Sequence, residues 1–405
     1  MTRTRHASRR LLRLSATLAL ATLAMAGCAA SPDRTPGPIT TPRATQEEPV
    51  APSTPTTTPA QAAAQEKLGT MTREEKIASL LMLHIPGTDT AATRAFVDRY
   101  RPGGLILMGD NIAGGPGDTS ALIAAANPDP AFPLLIGIDQ EGGDVRRIRS
   151  DDWPSALTLK NLAPEETERA FGLRSRLLAQ SGISVNFGIV ADVPADPGSF
   201  IYRRALGTTP EAAGERVAAA VTGEKRSVLS TLKHFPGHGA APGDSHTTVP
   251  ATGETLDQWQ ATDAVPFERG IAAGAPIVMF GHLNYRAVDP QPASLSPVWH
   301  GILRDTLGFD GITITDDMLM LRNTGLPEYQ NMSENSIRAL AAGNTMLLFV
   351  LGATPAADGV DPAALVADIG AAVDAGRISE QQIDDAALKL LVARNEIPRR
   401  GEPLS

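Results

Sequence analysis

The stretch Val228-Leu229-Ser230-Thr231-Leu232-Lys233-His234-Phe235-Pro236-Gly237-His238-Gly239 runs from a largely apolar segment straight into a polar, glycine-rich loop. Such a run, without strict alternation, suits a strand buried on both faces, as strands of a parallel sheet are. Its far end carries Lys233, His234 and His238. Two other apolar runs finish the same way. Leu134–Asp139 leads into Asp139-Gln140-Glu141-Gly142-Gly143, and Ile312–Asp316 ends in Thr315-Asp316-Asp317. Reactive groups of α/β barrels gather at that end of the strands.

Working outward, five further apolar runs share the spacing: Leu80–Ile85, Gly104–Met108, Val185–Val190, Ile277–Leu283 and Met346–Leu351. Helical segments lie between most of them, including Pro164–Ser181, Pro210–Thr222, Asp257–Ala273 and Glu334–Ala342. Thr72 and Glu75 form a capping box that starts a helix, and the fold is expected to begin near Gln65. Eight strand–helix units point to a (β/α)8 TIM-type barrel, an α/β fold with a single catalytic domain over residues 63–400. A doubly wound open sheet competes. Polar clusters at three separate strand ends favour the barrel.

The N-terminus reads differently. Arg3, Arg5, Arg9 and Arg10 precede an apolar run from Leu11 to Met25, the layout of a signal peptide over residues 1–27. The run ends Met25-Ala26-Gly27-Cys28, which resembles a lipobox, and Cys28 is the only cysteine. The expectation is an exported protein held to the outer face of the cell membrane by lipid on Cys28. Residues 28–62, rich in Pro, Thr and Ala, read as a disordered tether. The formal charge of −9 becomes −14 once residues 1–27, with five arginines and no acid, are removed. Such a surface repels nucleic acid, which is not expected as a partner. The barrel is expected to act as a monomer.

Chemistry concentrates after residue 233. Three of the seven histidines fall within thirteen residues, and Asp244 stands two before His246. A carboxylate so placed can fix one tautomer of an imidazole and stabilise its cation, which suits proton transfer near neutrality. The same spacing would also allow His234, His238, Asp244 and His246 to bind a metal, and spacing alone leaves both roles open. In Thr315-Asp316-Asp317, a carboxylate at the barrel mouth could attack an anomeric carbon. Taken alone, a helix-capping role is the better account of such an aspartate. Strand alternation does not say which acid would react. Asp139 with the arginines that follow could bind vicinal hydroxyls. No glycine pattern here fits a phosphate-binding loop.

Together these blocks resemble the family-three glycoside hydrolases, in the β-N-acetylglucosaminidase branch that works on peptidoglycan fragments. The similarity spans roughly residues 66–355 and includes Gly103–Leu107, Val185-Asn186-Phe187, Arg204–Gly207, Lys233–Gly239 with Asp244-Ser245-His246, Pro292–Ser296 and Gly311–Asp316. The resemblance implies a retaining double displacement with Asp316 as nucleophile and His246, backed by Asp244, as acid/base. It implies sugar-binding roles for Asp139, Arg147, Arg204, Lys233 and His234. It implies substrates that are β-N-acetylglucosamine-terminated glycans or muropeptides, with no cofactor and no metal.

Three positions depart from the family pattern. Asp144 stands where an arginine is common, Asp110 where a basic residue is common, and Thr345 where an acid is frequent. They bear on the aglycone side of specificity. Two other readings remain: a phosphorylase, because a histidine repels phosphate less than a carboxylate does, and a noncatalytic glycan-binding lipoprotein. The latter predicts loss of Asp316, Asp244 or His246, and all three are present.

Overall fold

The computed structural model describes residues 57–397 apart from Ala113, Ala195 and residues 353–357. The signal peptide, Cys28 and all of the tether up to residue 56 lie outside the described residues.

Eight parallel strands form the core: β1 (Leu81–Leu83), β2 (Gly104–Leu107), β3 (Leu135–Ile138), β4 (Val185–Val190), β5 (Leu229–Phe235), β6 (Ile277–Phe280), β7 (Ile312–Thr315) and β8 (Leu347–Phe349). Each lies within one of the eight apolar runs. They are paired in sequence order, with β1 against β8. The remaining edge is bridged in parallel between Ile314 and Met346, and the Met346 N–H donates to Thr313 at 3.0 Å. The (β/α)8 barrel is thereby closed.

One apolar cluster contains Met82, Ile106, Leu135, Phe187, Leu229, Met279, Ile314 and Leu348, one residue from every strand, and so fills the barrel. Close packing needs room for the Phe187 ring. A Cβ on Gly137 would stand 2.6 Å from it, so β3 has a glycine there. A second cluster joins Leu232, Phe235 and Phe280 to Phe171, Val217, Phe267 and Trp299 on the surrounding segments.

Two expectations need correction. The folded chain begins before residue 63. Thr58 and Gln61 make a reciprocal capping box, Pro59 occupies the first helical position, and the helix runs Pro59–Gly69 with Ala60 and Ala64 buried. Pro59 read as linker composition is instead a helix starter. The single helix expected over Asp257–Ala273 is two, Leu256–Ala261 and Ala264–Ala272. Pro266 explains the break, since it has no N–H for the Thr262 carbonyl and its ring crowds that group.

No described helix is long and apolar enough to cross a membrane. The barrel's polar strand ends all open on one face, where the loops after β3, β4, β5 and β7 meet.

Candidate active site

The loop after β3 is a short hairpin, Gln140–Gly142 against Val145–Arg146. Gln140 pins it from below. Its side-chain oxygen accepts from the Arg147 and Ile148 N–H groups, and its amide donates to Asp151 at 2.8 Å. Asp151 in turn holds the fully buried Arg174 at 2.6 Å.

This support presents Asp139 and Glu141 to cations from two other loops. Lys233 Nζ lies 2.8 Å from both Asp139 Oδ1 and Glu141 Oε1, and Lys233 is only 2% exposed. Arg204 grips Glu141 with two bonds of 2.9 and 2.7 Å, and Arg147 stands 3.5 Å from Asp139. Burial pushes the Glu141 carboxyl up, but Arg204 and Lys233 outweigh it and hold the group down at about 2. Burial likewise opposes the Lys233 charge, and the Asp139 and Glu141 carboxylates overcome it. Three cations and two carboxylates thus meet in one desolvated cluster, with guanidinium and ammonium donors available to sugar hydroxyls.

Asp316 follows β7. Its carboxylate accepts the Asp317 N–H at 2.8 Å. Burial raises its pKa, yet His234, His282, the Asp317 N–H and Lys233 together bring it below the ordinary carboxylate range. The adjacent Asp317 behaves oppositely. Burial pushes it up to about 7, and its Oδ1 accepts the Leu319 and Val350 N–H groups at 3.1 and 3.0 Å. Asp317 caps and ties the β7 and β8 loops, whereas Asp316 stays ionised. Strand alternation does not separate the two acids, and their electrostatic surroundings do.

The loop after β5 is sunk in the barrel mouth, with Lys233 through His238 all buried. Asp192, just beyond β4 and fully buried, accepts the backbone N–H groups of His234 at 3.2 Å and His238 at 2.6 Å. Its other oxygen meets His234 Nδ1 at 2.8 Å. Gly237 has a φ of 141°, and a Cβ there would lie 2.6 Å from Asp263, so only glycine fits.

Asp244 and His246 are exposed. His246 Nδ1 lies 2.6 Å from Asp244 Oδ1, which also accepts the His246 N–H at 3.0 Å. The pair reaches the buried loop through Phe200, whose ring is 6.5 Å from His246 and 4.7 Å from His238. His234 and His246 each commit Nδ1 to a different aspartate. Among the described residues, no group of three or more His, Cys, Asp or Glu side chains is disposed to hold a metal ion.

The structure therefore draws Asp139, Arg147, Arg204 and Lys233 into one cluster, with His234 and Asp316 electrostatically coupled beside it. The Asp244–His246 pair stands apart on its own loop. Sequence reading missed Glu141, Asp192, His282 and Phe200. Asp192 and His282 follow strands, so the rule that singled out Asp316 covers them too. Burial between His234 and Arg204 is what distinguishes Asp192, and no local pattern reports it. Of the departures, Asp144 forms a rim pair with Arg203 at 2.6 Å, and Asp110 lies 3.4 Å from His84. Thr345 hydrogen-bonds Thr313 beneath β7.

An ionised carboxylate, a cationic cluster and a carboxylate-backed imidazole thus stand at the mouth of a parallel barrel, an arrangement that suits a glycoside hydrolase. Residues 72–393 match the Glycosyl hydrolase family 3 N terminal domain, and the chain belongs to that family. It is 36% identical over 255 residues to a beta-hexosaminidase of Stenotrophomonas maltophilia (strain K279a), covering 60% of this chain and 75% of that protein. It also resembles the structure of a family 3 beta-N-acetylglucosaminidase from Paenibacillus sp. str. FPU-7, with a TM-score of 0.74 and 30% identity. That match covers 83% of this chain and 65% of the other. The beta-N-acetylhexosaminidase of Beutenbergia cavernae DSM 12333 matches with a TM-score of 0.70 and 28% identity over 80% of this chain and 98% of its own.

Proposed function

We propose that the chain is a retaining, exo-acting β-N-acetylglucosaminidase that removes terminal β-linked N-acetylglucosamine from cell-wall glycan fragments. The observation that carries this reading is the ionised Asp316 carboxylate, held below the ordinary range by His234, His282 and Lys233 in a desolvated mouth. The hexosaminidase relatives supply the substrate class.

In the first half-reaction Asp316 attacks the anomeric carbon while the bond to the leaving oxygen breaks and His246 gives that oxygen a proton. In the second, His246 takes a proton from water, the water oxygen bonds the anomeric carbon, and the ester to Asp316 breaks. Asp244 stabilises the imidazolium that gives the first proton and that the second step re-forms. Lys233, Arg147, Arg204, Asp139 and His234 hold the glycone hydroxyls. An imidazole acid avoids setting a second anion against the attacking carboxylate.

Side-by-side hydrolysis of synthetic β-glycosides of N-acetylglucosamine and of glucose tests the reading. The N-acetylglucosaminide should be strongly preferred and released as the β-anomer. Preference for glucose, or an inverted product, would overturn it. The export and lipid anchor on Cys28 belong to the same proposal and rest on Met25-Ala26-Gly27-Cys28. Mass spectrometry of the native N-terminus should find a lipidated Cys28; an unmodified or absent Cys28 removes the anchor without touching the hydrolase.

A further inference from the structure

One buried carboxylate at the mouth has no part in the mechanism above. Asp192 is fully buried beyond β4, yet it remains ionised. Burial raises its pKa, but the charge and hydrogen bond of His234, together with His238, bring it below the ordinary range. Its two oxygens are divided between tasks. Oδ1 accepts the N–H groups of His234 and His238, which fixes the backbone of the buried loop. Oδ2 meets His234 Nδ1 at 2.8 Å. A carboxylate can only accept, so the Nδ1 proton belongs to His234. Nε2 makes no hydrogen bond among the described residues and is the ring atom left for the mouth.

His282, on the other flank of Asp316, is fixed the opposite way. Its Nε2 lies 3.0 Å from the Asp317 carbonyl, which can only accept, and its Nδ1 lies 2.7 Å from the Ser294 hydroxyl. His282 therefore carries its proton on Nε2 and turns no free nitrogen to the substrate. Of the two imidazoles that bring Asp316 below the ordinary range, His234 is the one that keeps an open nitrogen, and Asp192 fixes where its proton sits; His238, which also feels Asp316, is buried with both ring nitrogens unpartnered among the described residues.

We propose that Asp192 is a positioning residue for the reaction. It holds His234 as the Nδ1–H tautomer, so that Nε2 can accept from a glycone hydroxyl or, when protonated, donate to one beside Asp316. The proposal rests on the reading of His234 as a glycone ligand. Asp192→Asn is the informative change. The asparagine oxygen can still accept both backbone N–H groups, so the loop keeps its anchor. Its NH2 then faces Nδ1, which must become an acceptor, and the ring proton moves to Nε2. A tautomer forced the wrong way costs activity although geometry is retained.

Two measurements decide it. Nitrogen-15 NMR of histidine-labelled wild-type protein, assigned with His234→Ala, should show the His234 proton on Nδ1; a proton on Nε2 alone overturns the proposal whether or not any variant folds. In kinetics, Asp192→Asn should lower kcat/KM on an aryl β-N-acetylglucosaminide by about 100-fold or more, with the roughly 10,000-fold that a wrong tautomer can cost in a catalytic triad as the upper end. In a His234→Ala background the same change should cost less than about threefold. Equal losses in both backgrounds would mean that Asp192 merely supports the loop. The NMR result needs no substrate, so a wild-type enzyme inactive on N-acetylglucosaminides would sink the functional reading while leaving the tautomer assignment to stand or fall separately.

Discussion

The two histidine-bearing parts of the mouth are built on opposite plans. The floor, from Lys233 to His238 with Asp139, Glu141, Asp192 and Arg204, is desolvated, and its charges meet opposite charges at about hydrogen-bond distance. The loop that carries Asp244 and His246 stands in solvent. It is held by its own turn, in which the Asp244 carbonyl accepts the Thr248 N–H at 3.0 Å and the Thr248 hydroxyl at 2.9 Å. The contrast fits two different tasks. Binding a sugar in a fixed pose needs donors already placed and stripped of water. An acid that must become a base within one turnover has to exchange its proton, and exposure allows that.

If this division holds, the largest effect belongs to Asp316, which serves both halves. Asp316→Ala should lower kcat by roughly four orders of magnitude or more with the fold intact. Asp317→Asn should be much milder in kcat, because Asp317 caps the loop and, in the proposed mechanism, does not attack. A reversal of the two in steady-state assays would exchange their roles.

The loop comes next. His246→Ala should slow substrates with poor leaving groups by about 100- to 10,000-fold and activated aryl glycosides far less. Its effect on unfolding free energy should stay within about 0.5 kcal/mol, as befits an exposed side chain. Asp244→Asn should reproduce part of the kinetic loss, also without a stability change. Uniform losses across leaving groups would show that His246 is not the acid.

The floor should answer in stability first. Lys233→Met leaves Glu141 and Asp139 without their shared cation, and removing one partner of a buried charge cluster costs about 3–5 kcal/mol. Chemical denaturation should show this even where the variant retains fold. A loss under about 1 kcal/mol would mean that the floor is more hydrated than its burial indicates.

These two plans were unequally legible in the sequence. The eight strands could be found because burial on both faces leaves continuous apolar runs, as in Val185–Val190, which matches β4 residue for residue. The exposed pair could be seen because Asp244 and His246 are sequence neighbours. The floor could be read only in fragments. Lys233 and Asp139 are 94 residues apart, and Arg204 and Glu141 are 63 apart. Which acids among the strand-end candidates stay charged depends on cations brought by other loops. Asp316 and Asp317 show this most plainly, since neighbours in sequence titrate in opposite directions.

The smallest effect at neutral pH, but the sharpest test of the floor, lies one layer below. Glu224 is fully buried, and Asn186 donates to its Oε1 at 2.5 Å while also donating to the Gln140 carbonyl at 3.2 Å. It thus supports the hairpin that presents Glu141. Unlike Glu141 it has no hydrogen-bonded cation among the described residues, and burial pushes it up to about 8, against weaker help from Asn186 and Arg174. The two glutamates therefore have opposite linkage. Glu141 binds its proton less readily folded than unfolded, so its stabilisation is present above the ordinary carboxylate range and is lost as pH falls through about 2. Glu224 binds its proton more readily folded, so its contribution is complete below the ordinary range and disappears as pH rises through about 8. Between those limits one extra bound proton changes unfolding free energy by about 1.4 kcal/mol per pH unit. Glu224→Gln retains an oxygen for Asn186 and cannot ionise, so it should abolish that slope. From pH 5 to 9 the denaturation midpoint should fall more steeply for the wild type than for the variant, which keeps the contribution of Asp317, itself pushed up to about 7, with activity at pH 6 nearly unaltered. Parallel pH curves for the two proteins would mean that Glu224 is charged in the folded state, and that the support beneath the floor is paired like the floor itself.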